Sequence, residues 1–411
     1  MATVQFDQII SRGCGIDVHK DSITATIRGD GIKTETRQYT TFTSSLIELK
    51  KWLQDNGITH VAMESTGIYW KPLFNILEES FEIMIVNARH VRNIPGRKTD
   101  KRDSRWLSKL LIAGFLRASF IPPKQIRELR DLSRYKSKLI GDRTREKNRI
   151  LKFLEDSNIK LSTVLSDVFG ASGKAILKAL TEGQTDPKKL CELGRGSVKK
   201  KKEALFLATD NRINEHQIFM LKMILEDLER IQTMIDKVEQ EINKKVKEYE
   251  PEIKLLDTIP GVDRDGAIGI ISEIGTDMNH FPAAKNLASW AGMSPGNNES
   301  AGKKKSGKTT HGDKYLRALL VQLAWSATHT KNTFMSKKYK NLVVRRGKKR
   351  SLIAVGHKIL CVAYYLLKDK VEYKDFDPSK MDIKKKEYIK KYHLVKLESL
   401  GFDVKIKEKV A

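Results

Sequence analysis

The chain has 411 residues, and its 77 Lys and Arg outnumber 51 Asp and Glu to give a formal charge of +26. Hydrophobic residues make up 40%, enough for real cores, which excludes a fully disordered chain. A charge excess of this size points to a polyanionic partner, because each Lys or Arg placed on a phosphate releases counterions. The three cysteines, Cys14, Cys191 and Cys361, lie far apart with no C-x-x-C pair, which argues against a disulfide framework and a zinc ribbon. The opening MATVQFDQIISRG lacks the pattern of a secretory signal, and no stretch approaches ~18 uninterrupted apolar residues. The expectation is a soluble, cytoplasmic protein with no membrane partner.

Over 11–120 short strand-like and helix-like runs alternate. GCGIDVHK, SITATIRG and TETRQYTTF read as three strands, with GDG marking a hairpin between the second and third. SSLIELKKWLQDNG reads as a helix with Ser44 or Ser45 as N-cap and Gly57 as its stop. THVAME follows as a buried strand, YWKPLFNILEES as a helix, FEIMIVNA as a strand and TDKRDSRWLSKLLIAGFL as a strong helix. Strand–helix alternation of this kind predicts an α/β domain over 1–123, its mixed sheet covered on both faces.

From 124 to 250 the strands vanish. A basic helical stretch, 124–157, precedes a heptad in which Leu221, Leu228, Ile235, Ile242 and Tyr249 recur every seven residues beside Ile224, Ile231 and Val238. That spacing predicts a coiled coil, the alternative being one long helix of an intramolecular bundle, with Pro251 as terminator. Residues 251–370 read as mostly helical. LLDTIPGVDRDGAIGIISEIG has the form of a helix–hairpin–helix, able to offer backbone N–H groups to a phosphate, or else of an ordinary helical hairpin. Residues 371–411 read as a Lys-rich tail without a motif.

Carboxylates stand out in the first region. Asp17 lies within an apolar strand, Glu64 ends another, and Asp100 and Asp103 are spaced i, i+3 on the following helix. A carboxylate in an apolar strand is costly unless a cation or donor meets it. Four such groups, if they converge, suit Mg²⁺, and paired ions can clamp both oxygens of a phosphodiester displacement. An Asp-x-x-Asp beside Lys98, Lys101, Arg102 and Arg105 reads equally as a surface salt-bridge lattice.

Between the helices AAKNLASWAG and KYLRALLVQLAWSA lie about twenty residues of almost only Gly, Asn, Ser and Lys. A loop this long in a compact region is usually functional or disordered. Lys303, Lys304, Lys305 and Lys308 surround Ser300 with positive charge, which would neutralise the charge that develops when a deprotonated hydroxyl attacks a phosphodiester; the alternative reading is a flexible phosphate-binding loop. Ser294, Ser306 and Tyr315 are the other candidates for such a role.

GIDVHKDS, MESTGIYW, VNARHVRNIPGRKTDKRD and WAGMSPGNNESAGKKKSGKTTHGDKYLRALL together resemble the DEDD insertion-sequence transposases that are guided by a bridge RNA. The resemblance spans about 11–365. It implies a RuvC/ribonuclease H-like first domain, a helical coiled-coil segment and a mostly helical transposase domain. It also implies Mg²⁺ on Asp17, Glu64, Asp100 and Asp103, with Ser300 as nucleophile. Glu299-Ser300-Ala301-Gly302 departs from the Ser-Ser-Gly-Gly often found there. The implied partners are donor and target DNA, a structured guide RNA, and further copies of the chain in a dimer or tetramer joined by the coiled coil, in the cytoplasm or on the nucleoid. Arg97, Lys98, Lys101, Arg102, Lys303, Lys304, Lys305 and Lys308 would contact nucleic acid. Two rival readings are a metal-dependent junction nuclease using water, and a non-enzymatic nucleic-acid-binding protein.

Overall fold

Gly13, Gly15 and Asp17 alternate with Cys14, Ile16 and Val18 along the first strand, β1 (Arg12–Val18), so one face is apolar and the other nearly bare. The computed structural model describes residues 9–65, 67–87, 103–211, 213–296, 298–300, 303–306, 308–375 and 378–404. The chain separates into two units, Met1–Ile121 and Pro122–Ala411.

In the first unit β2 (Ser22–Gly29) pairs antiparallel with β1 and with β3 (Ile32–Thr40), through a turn at Gly31, whose φ of 70° suits glycine. On the other side of β1, β4 (His60–Glu64) and β5 (Glu82–Val86) add in parallel, giving the order β3-β2-β1-β4-β5. The apolar face, with Cys14, Ile16, Ile23, Val61 and Met63, packs under α1 (Thr43–Asp55) and α2 (Trp70–Leu77) through Leu46, Leu49, Leu53, Leu73 and Leu77. The opposite face takes α3 (Asp103–Ile112), whose Leu107, Leu110 and Leu111 meet Ala62 and Val86. This is the mixed sheet, covered on both faces, that the alternation predicts. The cap of α1 differs from expectation. Phe42 stands at the N-cap without a side-chain bond, while Ser45 Oγ accepts the Thr40 amide at 3.1 Å to fasten the end of β3.

The second unit is helical apart from one small hairpin among its described residues. Its frame is an antiparallel pair, α4 (Lys124–Asp156) and α9 (Glu215–Lys245). Arg143 donates to Gln232 at 2.6 Å, Lys136 pairs with Glu239 at 2.9 Å and Lys245 with Glu128 at 2.7 Å, which sets the direction. The heptad seam of α9 is buried within the chain: Ile231 and Ile235 pack on Leu139, and Leu221 and Ile224 join Ile150 and Leu154. The short helices α5 (Leu161–Val164), α6 (Ala171–Thr181), α7 (Pro187–Glu192) and α8 (Lys202–Thr209) cap the far end of the pair with Ile176, Leu180, Leu190 and Leu205. Pro251, expected to end the long helix, instead lies in the first turn of α10 (Glu250–Asp257) after a 3₁₀ turn, where its missing N–H is harmless.

Next come α11 (Arg264–Ile274), α12 (Ala284–Trp290), α13 (Lys314–His329), α14 (Phe334–Arg346), α15 (Lys348–Asp369) and α16 (Pro378–Glu398). The turn between α10 and α11 holds Gly261 at φ 84°, and a Cβ there would come within 2.3 Å of the Ala327 amide nitrogen of α13. A helical hairpin, the shape common to both readings of this stretch, therefore forms, with Gly261 packed inward on α13. By length and composition α15 could cross a membrane, yet half of its apolar window is buried, with Val355, Ile359 and Ala363 in the core. That is the pattern of a core helix, and His357 and Lys358 interrupt its apolar residues. The stretch expected to be a tail carries α16.

Candidate active site

Strand alternation sets one candidate region, within the first unit. Asp17 continues the bare face of Gly13 and Gly15, and Glu64 continues the face of Ala62. The parallel register places Ile16 against Met63, so the next positions, Asp17 and Glu64, are neighbours at the carboxyl ends of two strands. Asp103 opens α3 one helical turn before Leu107, which packs on this same face.

Close approach of α3 to the sheet depends on glycine. A Cβ on Gly15 would stand 2.3 Å from both the Ser104 carbonyl oxygen and the Ser108 nitrogen, so helix and strand touch backbone to backbone. Ser104 Oγ lies 2.8 Å from Thr26 Oγ1, anchoring the first turn of α3 to β2. Three of the four acids thus share one face and one end of the sheet. Glu64 Oε1 and Asp103 Oδ1 are shielded from solvent, and Asp17 Oδ2 lies 3.1 Å from His19 Nε2. His19 escaped the sequence reading, although DVH put it two residues from Asp17.

All-oxygen donors at partly dry positions suit a hard divalent cation. Among the described residues, however, no three acidic, His or Cys groups form a cluster able to hold a metal. Asp100 lies outside the described residues, as do Arg97, Lys98, Lys101 and Arg102.

A separate candidate region lies within the second unit. The stretch expected to be a long irregular loop contains a β-hairpin, β6 (Asn298–Ser300) against β7 (Lys303–Ser306). Ser300 pairs with Lys303 at the closed end, while Ser306 pairs with Asn298 toward the base. At the base the Gly296 amide donates to the Lys308 carbonyl at 2.8 Å and the Thr310 amide to the Ser294 carbonyl at 3.3 Å. A Cβ on Gly312 would lie 2.2 Å from the Gly292 nitrogen, so only glycine lets the two ends pass. Strands this short, made of Asn, Glu, Ser and Lys, carry no β-branched signal, which is why the sequence did not disclose them.

Directly after the hairpin, Asp313 caps α13 by accepting the Tyr315 and Leu316 amides at 2.8 and 3.0 Å. The same carboxylate accepts from Arg134 at 2.6 Å, and Arg134 also donates to both oxygens of Glu273. Glu273 is 3% exposed. Burial pushes its carboxyl pKa up, against the opposing pull of Arg134. Arg130 completes the network by donating to the Ser272 and Glu273 carbonyls at 3.1 and 2.6 Å. Tyr315, a candidate nucleophile by sequence, lies with its ring 4.4 Å beneath the Arg134 guanidinium. The sequence hint of this network was Glu273 itself, a lone charge within the apolar GIISEI.

Two family models match the chain. One for DEDD transposases of the IS110 group, described as "Transposase", covers residues 14–159. The other, "Transposase IS116/IS110/IS902 family", covers residues 253–340. The chain belongs to the IS110 family of transposases. The first match contains Asp17, Glu64 and Asp103, and the second contains Ser300. Over 379 residues the transposase is 25% identical to the pilin gene-inverting protein of Moraxella lacunata, covering 86% of this chain and 95% of that protein. The Moraxella bovis pilin gene-inverting protein is 24% identical over the same span. The protein is thus a DNA recombinase, an enzyme whose partners include DNA.

Proposed function

We propose that this transposase cuts and rejoins donor and target DNA through a covalent phosphoserine intermediate on Ser300, assisted by Mg²⁺ held by Asp17, Glu64, Asp100 and Asp103. The observation that carries the reading is that Asp17, Glu64 and Asp103 lie on one face, at one end of the sheet, where side-chain movement and Asp100 would have to complete a cluster that the three do not form as they stand. Mg²⁺ bound there would neutralise charge on the scissile phosphate. The Ser300 hydroxyl, losing its proton, attacks phosphorus; a bond from Oγ forms, and the bond to one deoxyribose oxygen breaks, that oxygen taking up a proton. Rejoining reverses the step on a second DNA, so bond energy is kept and no ATP is required.

The strand order β3-β2-β1-β4-β5 supports a RuvC/ribonuclease H-like first domain over 1–123. The antiparallel α4–α9 pair supports a coiled-coil arm over 124–250, folded within one chain, ahead of a transposase domain over 251–370. A dimer or tetramer would then use surfaces other than the buried seam. The position of Ser300 at the closed end of the hairpin favours it over Ser294 and Ser306. Arg97, Lys98, Lys101, Arg102, Lys303, Lys304, Lys305 and Lys308 would contact nucleic acid, the charge of +26 accommodates a structured guide RNA beside DNA, and the enzyme would work in the cytoplasm.

Denaturing gels test the reading. Wild type and Ser306→Ala should show a protein–DNA adduct on cognate DNA, and Ser300→Ala should show none. Asp17→Asn should lose cleavage while keeping non-specific DNA binding within a few-fold. An undiminished adduct in Ser300→Ala removes the serine mechanism; strand cleavage without any adduct in the wild type replaces it with hydrolysis.

A further inference from the structure

From Lys314 to Lys368 the chain carries thirteen Lys and Arg and no Asp or Glu across 55 residues. The contrast with α4 is sharp. There Arg134 and Lys136 are paired with Glu273, Asp313, Glu239 and Asp265. Among the described residues, no carboxylate pairs with Lys338, Arg345, Arg350 or Lys358.

Like charges are moreover brought together. Lys338 of α14 and Lys358 of α15 both approach the ring of Phe334, at 5.7 and 5.9 Å from its centre. Lys338 and Arg345 are seven apart on α14, and Arg350 and His357 are seven apart on α15, so each pair lies along one stripe. Each stripe runs ~10 Å. Gly347, at φ 74°, joins the two helices at a corner where Arg345 and Arg350 are exposed. The opposite side of α15 is spoken for, since Val355, Ile359 and Ala363 are buried. Burial and Lys358 together lower the pKa of Lys338, the mark of cations crowded without counter-charge.

We propose that the corner formed by α14 and α15 is a DNA-binding surface that grips the phosphodiester backbone of the duplex being recombined. Half-buried lysines on an aromatic ring, flanked by exposed arginines, supply a concentrated positive field for a polyanion. Ten ångströms of duplex axis carry about three phosphates per strand, a fair match to one stripe. Lys and Arg aimed at phosphates hold position without reading sequence, so the grip serves donor and target alike.

The test is salt-dependent binding of the full chain to a fluorescent duplex of arbitrary sequence, read without cleavage and so apart from Ser300 and the acids. Arg345→Ala/Arg350→Ala should weaken binding about 10-fold and flatten the slope of log K against log salt by about 2. Arg345→Lys/Arg350→Lys should keep the wild-type slope, which separates charge from fold, and the melting temperature of both variants should match wild type. An unchanged slope in the alanine variant overturns the proposal. So does a loss confined to a structured RNA hairpin with duplex binding intact, which would assign the surface to RNA.

Discussion

Arg134 donates to both carboxylate oxygens of Glu273, at 2.8 and 2.7 Å, and the pair is tied through Asp313 to the helix that follows the serine hairpin. Residues 139 positions apart thus hold α4 against α11 and fix the first turn of α13.

Removing one partner leaves the other charge buried. Glu273→Ala and Arg134→Ala should each cost about 3–5 kcal/mol of stability in denaturant titrations. The double variant should cost clearly less than the sum, because the second change removes the stranded charge. Strict additivity would show that the two do not act as a pair.

Gly15→Ala should be far worse than Gly13→Ala. At Gly15 the added methyl meets backbone atoms of α3 at 2.3 Å, whereas at Gly13 it meets only the tip of Leu111 at 2.8 Å. Overpacking against backbone costs about 1–3 kcal/mol or more, against a smaller cost where a side chain can turn away. Because α3 carries Asp103, Gly15→Ala should also lose DNA cleavage below its melting temperature. Comparable melting temperatures and activity in the two variants would contradict this packing.

Acidification should weaken the second unit through His357. Burial, with Lys338 and Lys358 adding repulsion, lowers its pKa in the folded protein, so the unfolded chain takes up the proton first. Stability is then full above the unfolded value, about 6.5, and falls as pH drops below it. Glu128, Glu155 and Glu250, held below their ordinary range by Lys245, Lys160 and Arg264, act only at lower pH. Melting temperatures at pH 7.5 and 5.5 should therefore converge in His357→Gln relative to wild type.

Ile235→Ala opens a cavity where α9 meets Leu139 of the same chain. It should cost about 2–5 kcal/mol and leave subunit number unchanged in sedimentation. A shift in subunit number would place the seam between chains instead.

Local pattern carried much of this protein. Alternation along SITATIRG and HVAME marks strands at Ser22–Gly29 and His60–Glu64, and puts Asp17 and Glu64 on the face their strands leave bare. Heptad spacing marks the apolar stripe of α9, and NESAGKKKS marks the place of Ser300. What covers each stripe was decided elsewhere. Periodicity says which side of an element shuns water, but it is silent on the partner, and Leu139 lies 96 positions from Ile235. The hairpin holding Ser300 exists because Gly292 and Gly312 pass at backbone contact, and the Arg134–Glu273–Asp313 network because three distant helices meet. Such contacts join residues far apart along the chain, and only the folded backbone brings them within reach.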